Sequence, residues 1–241
     1  MKKINGKVIL IIVWLLVIGI LVYSRFVNLG WGLPYQMHPD ERNMTDAIQR
    51  LNCQLPVIMP LQAWLIECFN PHFFAYGQFP LYIGYIIAYL LKFFDGDQIT
   101  PISFQEAVIS LRIISAMASI INVYILLKIL KIFNKFSSAS WRIIFQFLYL
   151  LILIFSPYAI QFAHFGTTES LLMLFYSSII YLSLLFVDKK IKTSTFVIKS
   201  AILVGLSLAT KVSSLIFLMV PFSVLLLNKE FPKETISLFM I

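Results

Sequence analysis

The chain has 241 residues, of which 60% are hydrophobic and 12% charged, with a mean hydropathy of +0.88. Soluble domains carry about 25% charged residues, so this composition excludes an ordinary soluble domain and describes an integral membrane protein with several spans. The formal net charge of +8 does not signal nucleic-acid binding, because the excess sits in short loops between apolar runs, as the positive-inside rule requires.

Three lysines (Lys2, Lys3, Lys7) precede a first apolar run, Val8–Val27. No small-residue cleavage site follows it, and Tyr23-Ser24-Arg25-Phe26 is bulky and charged. The run reads as a retained signal-anchor helix. An irregular stretch with Gly30, Gly32 and Pro34 leads to His38-Pro39-Asp40-Glu41-Arg42. Met44, Ala47, Ile48 and Leu51 recur at helical spacing after it, so Asp40–Leu51 is expected to be an amphipathic helix lying on the membrane. Asp40 near its N-terminus serves either as a helix cap or as a functional acid. The adjacent Glu41 is not needed for capping, and acids at a membrane face are functional by default. Cys53 and Cys68 fall in the same loop and are able to pair if that loop faces an oxidising compartment.

Further apolar runs lie at Phe79–Phe94, Ala107–Phe133, Ile143–Ile160, Leu171–Val187, Val197–Thr210 and Ser213–Leu227. A crossing needs about 20 apolar residues. With the N-terminus in the cytoplasm, residues 28–106 form an outer loop holding seven acids and three bases. If Phe79–Phe94 crossed, the basic stretches Lys128–Arg142 and Lys189–Lys192 would both fall outside, against the positive-inside rule. Phe79–Phe94, with its tyrosines and Lys92, therefore reads as interfacial or re-entrant. The expected fold is an all-α polytopic membrane bundle of about six spans, with two juxtamembrane helices in the first outer loop.

That topology puts Asp40, Glu41, Arg112, the Ser156–Glu169 turn and Lys211 near one outer face. Pro157 breaks or bends a helix end, and Gln161, His164, Thr167, Thr168 and Glu169 cluster after it. Glu169 reads as a functional acid or as a capping acid of the helix that follows. Lys211 and Arg112 each either snorkel to headgroups or grip an anionic group such as a lipid phosphate.

The order of these motifs resembles the GT-C superfamily of membrane glycosyltransferases. The likeness is to the protein O-mannosyltransferase and aminoarabinose-transferase branch. It rests on the Asp40-Glu41 pair soon after the first helix, Phe79-Pro80-Leu81-Tyr82, and Ser110-Leu111-Arg112. Ser156-Pro157, His164, Thr167-Thr168-Glu169-Ser170 and Gly205–Lys211 complete it, so that it runs from about residue 8 to 228. The resemblance implies a polyprenyl- or dolichyl-phosphate sugar donor and an extracytoplasmic active site. Under it, Asp40 is the catalytic base, Glu41 its companion and Glu169 the second acidic residue, one methylene longer than the usual Asp. Arg112 and Lys211 face the donor phosphate, while His38 and His164 orient the acceptor or a metal. Carboxylates at Asp40 and Glu169 suit Mg or Mn, and a metal-free route is equally compatible. Members of the family carry more helices, and Ile236–Ile241 reads as the start of another run, so a missing C-terminal part or a partner subunit is expected. A transporter or flippase for a lipid-linked or small polar substrate is the alternative from another class. Such proteins place polar groups near the midplane, often in repeated halves, and the chain has no internal repeat.

Overall fold

The computed structural model describes residues 6–35, 37–51, 60–94, 96, 101–133 and 138–227. Among them the protein is helical, with no strand. The helices are α1 (Gly6–Phe26), α2 (Pro39–Arg50), α3 (Leu61–Phe69), α4 (Phe79–Phe94), α5 (Phe104–Phe133), α6 (Ala139–Phe155), α7 (Pro157–His164), α8 (Glu169–Val187), α9 (Thr193–Leu208) and α10 (Met219–Leu227). A 3₁₀ stretch, Val212–Leu218, leads into α10.

Three helices are long and apolar enough to cross a membrane: α1 from Val8, α5 and α8. A fourth crossing results if α6 and α7, which meet at a bend of 48°, count as one span. The expected number of about six is not reached on length. The helix α9 has 16 residues, about 24 Å at 1.5 Å per residue, against a hydrocarbon core of about 30 Å. The outer side of α1 exposes Leu15 and Leu16 at 63% and 62%. Apolar exposure on that scale suits lipid rather than water.

The longest helix, α5, is the hub. Its buried positions include Ala107, Ser110, Ser115, Ala116, Ala118 and Ser119, small residues that let neighbouring helices approach closely. On one side it packs α2, α4 and α8 around Met44, Ile48, Leu81, Leu111 and Phe175. On another it packs α1 and α6 around Val17, Leu21, Val123 and Ile154. A third cluster joins α8, α9 and α10, with Phe186 stacked on Phe196.

One expectation for the first loop changes. The apolar stripe of α2 does not lie on lipid. Met44, Ala47 and Ile48 are fully buried against α4 and α5, and each large side chain so buried contributes about 1.5–3 kcal/mol. Gly84 makes the contact possible, since a Cβ there would lie 2.5 Å from Ile48 Cδ1. Lys92 of α4 is turned into the protein. It is 3% exposed and its Nζ donates to the Pro101 carbonyl at 3.1 Å. The loop also carries α3, which the apolar pattern did not single out. Cys68 is disulfide-bonded, while Cys53 lies outside the described residues.

The α6–α7 bend has a definite cause. Pro157 lacks an N–H, and Ser156 caps α7 by accepting from the Ala159 N–H, so carbonyls in the last turn of α6 lose helical donors. Arg25, fully buried near the end of α1, supplies them. Its Nη2 donates to Leu153 O at 3.1 Å and Nη1 to Ile154 O at 3.2 Å, while Nε donates to Ser119 Oγ at 3.0 Å. A cation at the negative end of a helix is favourably placed, and the bend is thereby tied to α1 and α5.

Candidate functional site

Asp40 and Glu41 are neighbours in the first turn of α2, yet a helix turns about 100° per residue and sends them to different surroundings. Glu41 points at α5. Arg112 Nε and Nη2 donate to its two carboxylate oxygens, each at 2.7 Å. The Gly166 N–H adds a third bond at 2.7 Å. Nη1 of Arg112 donates to the carbonyls of Leu29 and Trp31 at 2.6 and 2.8 Å, and the guanidinium lies 4.9 Å from the Trp31 ring centre. Glu41 and Arg112 are 3% and 1% exposed. This forked pair ties α2, α5, the segment after α1 and the segment before α8. Gly166 is required there, because a Cβ would meet Leu111 Cβ at 2.6 Å and Glu41 Oε1 at 3.0 Å. Arg112, expected at a donor phosphate, has Nε, Nη1 and Nη2 all engaged within the protein.

Asp40 is half-buried and faces a different set of groups. The Tyr76 hydroxyl is the neighbour on which its negative charge acts. Burial, the pull of the Asp40 carboxylate on the phenolic proton and the negative charge of Glu169 push the Tyr76 hydroxyl up to about 12, so it remains a proton donor at neutral pH. Lys211 Nζ lies 5.1 Å from the Tyr76 ring centre and 3.4 Å from Glu169 Oε1. The Lys211 and Glu169 side chains are 31% and 30% exposed, so substrate is able to reach them. Thr168 Oγ1 donates to the same Glu169 oxygen at 3.4 Å.

A backbone splice brings Tyr76 to Lys211. The N–H groups of Gly77 and Phe79 donate to Thr210 O and Ala209 O, both at 3.0 Å. A side chain at Gly77 is impossible without movement, since its Cβ would fall 1.9 Å from Ala209 O. Sequence reading missed Tyr76. The signal was Tyr76-Gly77 itself, a glycine just before the helical run at Phe79, but nothing in the chain names the backbone that it meets.

The histidines stand apart from this cluster. His164 Nδ1 lies 2.8 Å from Ile160 O and Nε2 2.9 Å from Val27 O, so the ring joins α7 to the end of α1. His38 packs on Phe165 at 4.7 Å between ring centres, and its buried Nδ1 has no hydrogen-bond partner among the described residues. Among the described residues no three of His, Cys, Asp and Glu assemble as metal ligands. Asp40 and Glu169 are the two acids of the cluster, and the Lys211 ammonium already sits on Glu169.

An apolar groove of about 710 Å³ lies along α1, α6 and α7. Its lining runs from Ile20 and Phe155 to Trp31, His164 and Phe165, the last three bordering the Glu41–Arg112 pair. Comparison of the chain with protein-family models, with curated proteins and with solved structures gives no match in any of the three.

Proposed function

We propose that the protein is a membrane glycosyltransferase that moves a sugar from a polyprenyl- or dolichyl-phosphate donor to an acceptor hydroxyl. The observation that carries this reading is the gathering of Asp40, Tyr76, Glu169 and Lys211, from four distant stretches, into one half-open polar cluster. An acid with a neutral partner and a cation with a second acid are the groups that such a transfer requires.

In the proposed step the acceptor oxygen attacks the anomeric carbon and its proton passes to Asp40. The bond from that carbon to the phosphate oxygen breaks, and the electron pair leaves on the phosphate, with inversion at carbon. Lys211 stabilises the charge that grows there. Glu169 holds Lys211 in position, and Tyr76 fixes the Asp40 carboxylate. Glu41 and Arg112 act through structure, by holding α2 so that Asp40 faces the cluster. No step is routed through a metal. The groove along α1 and α7 suits a polyprenyl chain, whose phosphate end then meets the polar rim.

In this reading α9 and residues 212–227 are short crossings, which gives six spans and puts the cluster on the extracytoplasmic face. The Cys68 disulfide supports that side, because such bonds persist in oxidising compartments. Polar groups gathered at one end, rather than near the midplane, favour transfer over transport.

The test is release of polyprenyl phosphate from a polyprenyl-phosphate sugar by the purified chain in liposomes. Asp40→Asn is expected to lower turnover by about 100-fold or more. Equal turnover in the variant at matched expression removes Asp40 as base, and absence of both donor binding and turnover in the wild type sinks the reading.

A further inference from the structure

At the other end of α5 from Arg112, a second pocket opens between three helices. It has a volume of about 240 Å³ and is lined by Trp14 of α1, Tyr124, Leu127, Lys128 and Lys131 of α5, and Gln146 of α6. At about 1.5 Å per residue, Arg112 and Lys131 are about 28 Å apart along the helix, close to the thickness of a hydrocarbon core. The two polar regions thus stand at opposite membrane faces.

The pocket is built for an anion. Lys128 and Lys131 both line it, and Lys128 Nζ lies 5.1 Å from the Tyr124 ring centre, which orients that ammonium. No acid lines the pocket. Neither α1 nor α6 contains a carboxylate, and the only acid of α5, Glu106, is in its first turn, at the far end. Among the described residues neither lysine has an ion pair. Two like charges held together without a counter-charge favour a ligand that brings one. An amide from Gln146 adds a donor, and Trp14 and Tyr124 are residues that favour the headgroup level of a bilayer.

The surroundings decide the kind of anion. The same three helices expose Leu15, Ile121 and Leu148, so the pocket opens among lipid-facing side chains rather than into a water-filled cleft. We infer that it holds the phosphate headgroup of one anionic phospholipid, drawn from the leaflet at the basic end of the bundle. Its acyl chains lie along the apolar faces of α1 and α6. Basic pockets between transmembrane helices recognise headgroups in this way. The inference is independent of the glycosyl-transfer reading, since it uses none of that site's residues.

Native mass spectrometry of the full chain, with phosphatidylglycerol or phosphatidylcholine added at equal concentration, tests it. The wild type is expected to retain one phosphatidylglycerol in preference to phosphatidylcholine. The Lys128→Gln/Lys131→Gln variant is expected to lose that preference by about thirtyfold, as two lysines near an anionic headgroup imply. The control Lys189→Gln/Lys190→Gln, in an exposed loop, is expected to keep it. Equal retention of the two lipids by the wild type overturns the inference without reference to any variant. So does undiminished preference in the pocket variant, or equal loss in the loop control. Displacement of the lipid by millimolar inorganic phosphate identifies a free-anion site and overturns the lipid assignment.

Discussion

Asp40 and Glu41 are adjacent in the chain and opposite in circumstance. Glu41 is buried, receives three N–H bonds and faces an arginine whose own donors are engaged. Asp40 is half-buried, stands near the Tyr76 hydroxyl and belongs to a cluster whose lysine–glutamate pair is about one-third exposed. A saturated ion pair has no capacity left for a substrate, while an unsaturated one does. The comparison teaches that, in a chain with few acids, a carboxylate committed to the fold is told from one with hydrogen-bonding capacity to spare by the partners that it already holds.

The sharpest way to break the contrast is on the saturated side. Arg112→Met leaves Glu41 buried without its cation and is expected to destabilise the fold by about 3–5 kcal/mol, read as a fall in the unfolding midpoint in mild detergent. Arg112→Lys is expected to rescue little, because an ammonium does not reproduce the fork. A cost below about 1 kcal/mol for Arg112→Met would mean that the pair does not hold α2 in place. Next in size is Gly166→Ala, whose methyl meets Leu111 and the Glu41 carboxylate. About 1–3 kcal/mol of destabilisation is expected by the same measurement.

On the open side stability effects shrink. Lys211→Met breaks a pair about one-third exposed and is expected to cost less than about 1 kcal/mol of stability. It should nevertheless reduce donor turnover by at least about tenfold through the lost phosphate charge. A large loss of stability with turnover retained would reverse the assignment of the two sides. The smallest expected effect is alkaline. Tyr76 in the folded protein holds its proton to about pH 12, whereas in the unfolded chain it releases it near pH 10. The unfolded state thus binds fewer protons in that window, and stability falls as pH rises from about 10 to 12. Tyr76→Phe should lose less stability over that window than the wild type does.

The long helices were legible because apolar runs announce themselves. Val8–Val27 and Leu171–Val187 differ from α1 and α8 by no more than two residues at either end. Pro157 marked the bend, since a residue without an N–H interrupts the helical ladder wherever it falls. The stripe Met44, Ala47, Ile48 identified a helix but not its partner, because periodicity shows that a face is apolar without showing what covers it. For the same reason α2 was expected on lipid and is found on protein. The cluster was legible only in part. Loop charges suggested which polar residues share an end of the bundle, and Asp40, Glu169 and Lys211 do lie together around Tyr76. They did not reveal that Arg112 is committed to Glu41, or that Arg25 is occupied by the α6 carbonyls. Those pairings depend on rotamers and backbone gaps that one chain read in order does not encode visibly.

The splice of Gly77 and Phe79 onto Ala209 and Thr210 has a mechanical corollary. Tyr76 and Lys211 flank a backbone seam, so the two side chains travel as one piece. Under the proposed reading, a sugar that enters the cluster meets tyrosine and lysine as a single wall, with Asp40 on α2 and Glu169 on α8 as the others.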